Sequence, residues 1–288
     1  YLWPIHQVGD RIVYSKIREA MGGKVDYLVS GGGSIADYLE DFYEIAGIEI
    51  LGGYGLTETS PITHVRRPWH NLRGADGQAI PGTETLIVDP STREPLPVRT
   101  PGLVLVRGPQ VMQGYYKNPD ATAKAIDADG WFDTGDLGRL TEWGDLIITG
   151  RAKDTIVLTN GENIEPTPVE NACLRSPYVD QIMLLGQDQK SIGALIVPNK
   201  EELEKWAQAK GIDISDLNSK PIQDLFKQEL KREVSNRPGY RPDERVTTFM
   251  LLQEPFTIEN GLLTQTMKVK RPKVRDRYQE TIDALYAQ

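Results

Sequence analysis

The stretch from 25 to 51 constrains the fold most. Val25-Asp26-Tyr27-Leu28-Val29 is an apolar-rich strand that runs into Ser30-Gly31-Gly32-Gly33. Three glycines in a row suit a tight strand-to-helix turn and keep side chains out of the way of anything that approaches the backbone. Ser34 is placed to N-cap a helix whose Leu39, Phe42, Tyr43 and Ala46 share one face, and Gly47 supplies the stop. Glu49-Ile50-Leu51 is the next strand. A strand, a turn, a helix and a second strand make a β-turn-α-β unit, which commits roughly the first 70 residues to part of an α/β sheet.

The texture then changes. Short β-rich runs at 85–88, 102–107 and 146–148 are separated by Pro and Gly clusters such as Asp89-Pro90 and 95–97, with a short helix at 121–126. That alternation suits a small β-barrel-like subdomain. Beyond Lys153 the pattern predicts a compact α+β module, with strands at 155–158, 181–185, 192–197 and 247–252. Its helices are expected at 166–175, 200–210, 222–233 and 275–286. The expected organisation is an α/β piece over 1–76, a β-barrel-like subdomain over 77–152 and an α+β domain over 153–288. A length of 288 residues accommodates about two domains.

Composition narrows the function classes. With 39% hydrophobic residues the chain can bury a core, and no apolar run approaches the roughly 18 residues of a spanning helix. The lone cysteine, Cys173, excludes an intrachain disulfide framework, implies a reducing, cytoplasmic setting and reads as a structural thiol within a helix. A net charge of -8 argues against nucleic-acid binding. The exception is the basic run Lys268, Lys270, Arg271, Lys273, Arg275 and Arg277, read either as a solvated helix face or as a surface for an acidic partner. His6, His64 and His70 have no metal-ligand spacing.

Tyr54-Gly55-Leu56-Thr57-Glu58 follows the second strand and a glycine pair. Its order suits a nucleotide: an aromatic face for a base, a glycine for close approach, a hydroxyl for phosphate and a carboxylate for Mg²⁺. Taken alone, the five residues read equally well as an ordinary strand-end turn. Further blocks follow in order: Trp131-Phe132-Asp133-Thr134-Gly135-Asp136-Leu137, Gly150-Arg151-Ala152-Lys153-Asp154 and Gln265-Thr266-Met267-Lys268. Together these blocks resemble the AMP-forming acyl-activating enzymes, the adenylate-forming superfamily of fatty acid ligases, luciferases and nonribosomal peptide adenylation domains.

The resemblance implies roles for particular residues. Gly31, Gly32 and Gly33 would pack against adenine, and Tyr54, followed by Gly55, would stack on it. Thr57 would contact the α-phosphate, and Glu58 would hold Mg²⁺. Asp136 would accept both ribose hydroxyls, with Arg151 also meeting the ribose. Lys153 stands at the family's hinge, and Gly161 on a loop that lines the tunnel for the acceptor thiol. Lys268 would bridge the substrate carboxylate and the α-phosphate in the transition state.

Two details resemble the long-chain fatty acid group: Gly161 follows Arg151 one residue later than in short-chain and aryl ligases, and Met267 and Gln265 replace the commoner glycine and proline. The wording from Gln110 to Tyr115 and from Gly150 to Pro166 resembles cyanobacterial acyl–acyl carrier protein synthetases and long-chain acyl-CoA synthetases. The implied activity joins a fatty acid to ATP as acyl-AMP and passes the acyl group to a thiol, either CoA or the phosphopantetheine of an acyl carrier protein. Peripheral membrane association stays open. The family's phosphate-binding loop does not occur in these residues, so the chain reads as a C-terminal portion carrying half of the nucleotide site and the whole mobile lid domain. Two alternatives remain at this point. One is an inactive nucleotide- or acyl-binding module. The other is an NAD(P)-dependent oxidoreductase, with Gly31, Gly33 and Ala36 as G-x-G-x-x-A and Glu49 as the ribose acid.

Overall fold

The computed structural model describes residues 3–33, 35 and 37–287. The chain divides into two compact units, Tyr1–Lys153 and Asp154–Gln288. The expected N-cap Ser34 and the Ala36 of the dinucleotide pattern lie outside the described residues.

In the first unit, α1 (Trp3–Gly9), a π-helical turn (Asp10–Tyr14) and α2 (Ser15–Ala20) precede the β-α-β unit. That unit is β1 (Tyr27–Gly31), α3 (Asp37–Ile45) and β2 (Glu49–Tyr54), with the strands parallel and Gly31 paired with Gly53. Next come β3 (His64–Val65), β4 (Gly77–Ala79), β5 (Glu84–Val88), β6 (Gly102–Arg107), α4 (Pro119–Ala125), β7 (Phe132–Leu140) and β8 (Asp145–Arg151). All eight strands form one sheet in the order β1-β2-β3-β4-β8-β7-β6-β5. The segment expected to close as a small barrel therefore does not close. Its strands extend the α/β sheet, and β5 and β1 stand at opposite ends of the order. Bulges between Leu103 and Leu105 and between Leu137 and Gly138 twist the central strands without bringing those ends together.

Strand β6, next to the edge strand β5, is buried along most of its length because both of its faces are covered. Val104 and Val106 enter one cluster with Ile87, Phe132 and Leu146, while Leu103 and Leu105 enter another with Val88 and Leu137. The predicted apolar face of α3 is only partly covered. Ala46, just past the helix, is buried, but Leu39 and Phe42 are 38% and 43% exposed. What α3 buries instead is Glu40, ion-paired with the buried Arg66.

The second unit contains a hairpin of β9 (Ile156–Val157) and β10 (Asn163–Ile164), then α5 (Pro166–Cys173), β11 (Val179–Leu185), β12 (Gly193–Pro198), α6 (Lys200–Lys210), α7 (Lys220–Ser235), β13 (Thr248–Leu251), α8 (Arg271–Arg277) and α9 (Gln279–Tyr286). The order β11-β12-β13 makes a three-stranded sheet, antiparallel then parallel. Side chains alternate across it. Ile182, Leu184, Ala194 and Ile196 pack with Val169, Phe226 and Leu230, whereas Met183, Leu185, Leu195 and Val197 pack with Phe256, Leu263, Val274 and Leu285. Cys173 is fully buried, and burial pushes its thiol up to about 12, which suits a structural residue. The single helix expected over 275–286 is two helices broken at Tyr278. Among the described residues, no helix is long and apolar enough to cross a membrane.

Candidate nucleotide site

The parallel strands β1 and β2 deliver their C-terminal ends side by side, so the glycine turn and Tyr54 leave the sheet at one edge. This is where open α/β sheets place ligands. Strand β7 brings Asp136 to the same place, and β8 sets Arg151 opposite Asp136 in register. The Tyr54 hydroxyl donates to Asp136 Oδ2 at 2.7 Å, and Arg151 Nε donates to Oδ1 at 3.0 Å. Three residues spread over nearly 100 positions of sequence thus share one buried carboxylate. Burial, and then the Asp136 charge, pushes the Tyr54 phenol upward, so it stays a donor. Thr134 shapes the approach: its hydroxyl donates to the Val104 carbonyl and accepts from the Asp136 N–H. A cleft of about 330 Å³ opens beside this turn, lined by Arg93, Asp133, Thr134, Gly135, Arg151 and Lys153 among others.

Gly31, Gly32 and Gly33 are exposed at the end of β1. Gly32 takes φ +81°, a left-handed conformation that favours glycine. Gly55 has a different constraint from the one read in the sequence. A Cβ there would lie 1.9 Å from the Pro61 carbonyl oxygen, so the close approach is made by the chain itself. Thr57 and Glu58 open a 3₁₀ turn just beyond, Thr57 exposed and Glu58 half-buried.

The sequence reading missed what holds Glu58. The Tyr115 hydroxyl donates to Glu58 Oε1 at 2.9 Å, and the Met112 N–H donates to the Glu58 carbonyl at 2.7 Å. The Gly114-Tyr115 pair belonged to the block compared with the long-chain group, but nothing in its spacing pointed to position 58. Among the described residues, no cluster of three or more His, Cys, Asp or Glu could hold a metal ion by itself. A lone carboxylate fits Mg²⁺, which keeps waters and takes substrate phosphates for the rest of its shell. Neither histidine near the sheet contradicts this. His64 is enclosed between the Thr63 and Thr85 hydroxyls, each 2.9 Å away, and burial pulls it down to about 4. His70 pairs with the buried Asp145.

Gly161 and Lys268 belong to the second unit. Gly161 turns the β9–β10 hairpin at φ +86° with open space around its Cα. Lys268 is exposed on a tight turn closed by bonds between Thr264 and Lys268. Met267, which stands where the resembling enzymes carry glycine, takes φ +61°. Within the basic run, Arg271 is tied to Glu170 and Arg277 to Glu254. Lys268, Lys270, Lys273, Arg275 and Arg277 are exposed.

The dinucleotide alternative loses its acid. Glu49 is the first residue of β2, at the end opposite to Gly31–Gly33, and it accepts from the Asn71 amide at 2.8 Å. At about 3.3 Å per residue, the length of β2 separates it from any ribose held at the glycine turn.

A glycine turn, an aromatic ring and a buried carboxylate gather at the C-terminal edge of a partly parallel sheet, the arrangement that the resemblance to adenylate-forming enzymes implies. Comparison with known proteins agrees. Residues 8–116 match the AMP-binding enzyme family, and residues 153–228 match the AMP-binding enzyme C-terminal domain. Together the matches take in more than half of the chain, which belongs to this family. The chain is 40% identical to the long-chain-fatty-acid–[acyl-carrier-protein] ligase AEE15 of Arabidopsis thaliana, over 99% of this chain and 39% of that protein. It is 37% identical to the long-chain-fatty-acid–CoA ligase FadD15 of Mycobacterium tuberculosis, over 98% of this chain and 45% of that protein. Among solved structures, the A domain of carboxylic acid reductase from Segniliparus rugosus, in complex with AMP and a co-purified carboxylic acid, superposes with a TM-score of 0.78 at 28% identity, covering 98% of this chain and 44% of that one. The chain spans less than half the length of these relatives.

Proposed function

We propose that this chain carries the ribose-binding half of the nucleotide site and the C-terminal domain of an AMP-forming ligase for long-chain fatty acids. The observation that carries the reading is the convergence of Tyr54 and Arg151 on Asp136 at the end of the β1–β2 pair. A carboxylate has about four acceptor positions, so Asp136 can keep both protein donors and still accept two ribose hydroxyls. Tyr54 would offer its ring to adenine, with Gly31–Gly33 letting the backbone close on the base, and Thr57 would donate to the α-phosphate. Glu58 would hold Mg²⁺, which when bound neutralises phosphate charge.

In the first half-reaction the fatty acid carboxylate attacks the α-phosphorus, the bond to pyrophosphate breaks, and acyl-AMP forms. Lys268 would stabilise the charge that builds between carboxylate and phosphate. In the second, a thiol attacks the acyl carbon and AMP leaves with the bonding electrons. Gly161, whose lack of a side chain keeps its hairpin open, would border the pantetheine path. Exchange of the Lys268 and Gly161 faces at a hinge near Lys153 would separate the two steps. The thiol belongs to CoA or to an acyl carrier protein, as in the two ligases named above, and the exposed cations at 268–275 suit the phosphates of either. The buried Cys173 thiol suits a reducing compartment.

Titrating AMP and a nonhydrolysable acyl-AMP analogue into the 288-residue chain tests the reading. Binding of both supports it, and a chain that binds neither refutes it. If a longer protein carrying these residues binds both ligands but catalyses neither half-reaction, the inactive-module alternative replaces it.

A further inference from the structure

Giving Glu58 to a metal leaves open what aims its carboxylate. Glu58 lies on a three-residue 3₁₀ turn, and a Glu side chain loses appreciable rotamer freedom when it is fixed. A segment more than 50 residues away supplies the fixing. Met112 N–H holds the Glu58 backbone, and the Tyr115 hydroxyl holds Oε1. That segment is itself pinned to α4. The Thr122 hydroxyl accepts from the Tyr115 N–H at 2.9 Å and donates to the Asn118 carbonyl at 2.9 Å. The Asn118 N–H returns to the Tyr115 carbonyl at 3.1 Å, and the Asn118 side chain caps α4 at the Ala121 N–H. Gly114, at φ +145°, passes so near Thr122 that a Cβ would meet its methyl at 2.7 Å. Tyr115 is therefore the tip of a strap anchored to a helix.

The geometry points to Tyr115 as the positioning residue for Glu58: it occupies one carboxylate oxygen so that the other is presented to a divalent cation in a fixed direction. This rests on the reading of Glu58 as the Mg²⁺ carboxylate. Hydrogen-bond partners behind a ligating carboxylate typically contribute 10- to 100-fold in metal affinity. The Tyr115 hydroxyl bonds the Glu58 carboxylate, so its effect on a cation held there passes through that carboxylate.

The test uses Mn²⁺ as the probe, titrated into the 288-residue chain with AMP in excess and free metal counted by electron paramagnetic resonance. Tyr115→Phe should weaken Mn²⁺ binding roughly 10-fold or more. Glu58→Gln should weaken it further, and the double variant should be no weaker than Glu58→Gln alone. Thr122→Val, which loosens the strap but keeps the phenol, should show part of the Tyr115→Phe loss. Wild-type affinity in Tyr115→Phe, no loss in Thr122→Val, or an additional loss from Tyr115→Phe in the Glu58→Gln background each overturns the inference while leaving the nucleotide site standing. Wild-type affinity in Glu58→Gln removes the metal role itself, and the inference falls with it.

Discussion

Replacing Asp136 with Asn is the most demanding test of the nucleotide site, because the side chain keeps its shape and loses its charge. Asp136 is 6% exposed, and both of its oxygens are engaged. On the Tyr54 side, a charge-assisted bond becomes a neutral one and loses about half its strength, roughly 1 kcal/mol. On the Arg151 side, an ion pair is lost, but the Arg151 side chain is 48% exposed and can turn to water, so that loss is only about 0.5 kcal/mol. The total, roughly 1–2 kcal/mol, is small beside the 5–15 kcal/mol of a typical domain, and the variant should stay folded. Nucleotide binding should suffer more. Two ribose hydroxyls that each donate to a carboxylate at about 1.5–3 kcal/mol would meet an amide at about half that, one donating to its oxygen and the other accepting from its NH₂. AMP affinity should therefore fall roughly 10- to 100-fold. Calorimetric titration with AMP and with 2′-deoxy-AMP, beside urea unfolding, reads both effects. The wild type should prefer AMP, and the variant should lose much of that preference. If Asp136→Asn lowers the unfolding midpoint but binds AMP as the wild type does, Asp136 is a strut between Tyr54 and Arg151 and the ribose assignment is wrong.

Other expectations concern single residues. In a full-length ligase carrying this chain, Lys268→Ala should slow acyl-AMP formation by about 10²–10⁴-fold while sparing thioester formation from supplied acyl-AMP. Gly161→Val should do the reverse, and equal damage to both steps by Lys268→Ala would make the lysine a structural cation. Met267→Gly should stabilise the chain by about 0.5–1 kcal/mol, the relief of left-handed strain (about 1–2 kcal/mol) less the added freedom of the unfolded state. A fall in its urea midpoint would show that the Met267 side chain contributes more than its backbone costs. His64 falls from 6.5 unfolded to about 4 folded, so the unfolded chain binds its proton first. Stability should be full above pH 6.5 and decline as pH falls toward 4, by up to roughly 3 kcal/mol. His64→Gln should flatten that decline, and an unchanged slope would place the acid sensitivity elsewhere.

The sequence was most legible where one face of an element meets a continuous core. The strands expected at 181–185 and 192–197 and the helix expected at 222–233 all appear, with alternate strand residues and Ile222, Phe226 and Leu230 buried. It was least legible in β7, the nine-residue strand Phe132–Leu140 that carries Asp136. Two glycines and two aspartates read as a turn there, and only pairing on both sides makes the stretch a strand. The Tyr278 break between α8 and α9 left no Pro or Gly to mark it. In the site, the link from Tyr54 to Asp136 was expected through a common ligand and is made directly by a hydrogen bond. The strap from Tyr115 to Glu58 was invisible because its register depends on where α4 lies, which no local pattern encodes.

The two-sided core of the second unit has a consequence for engineering. Every side chain in those two clusters comes from residues between Ile156 and Tyr286, so the unit carries its own hydrophobic ledger. Grafting it between relatives at the Lys153–Asp154 junction, as an exchangeable cassette, should keep both clusters intact. Swapping the cassette between a CoA-dependent and a carrier-protein-dependent relative would show which segment chooses the acceptor.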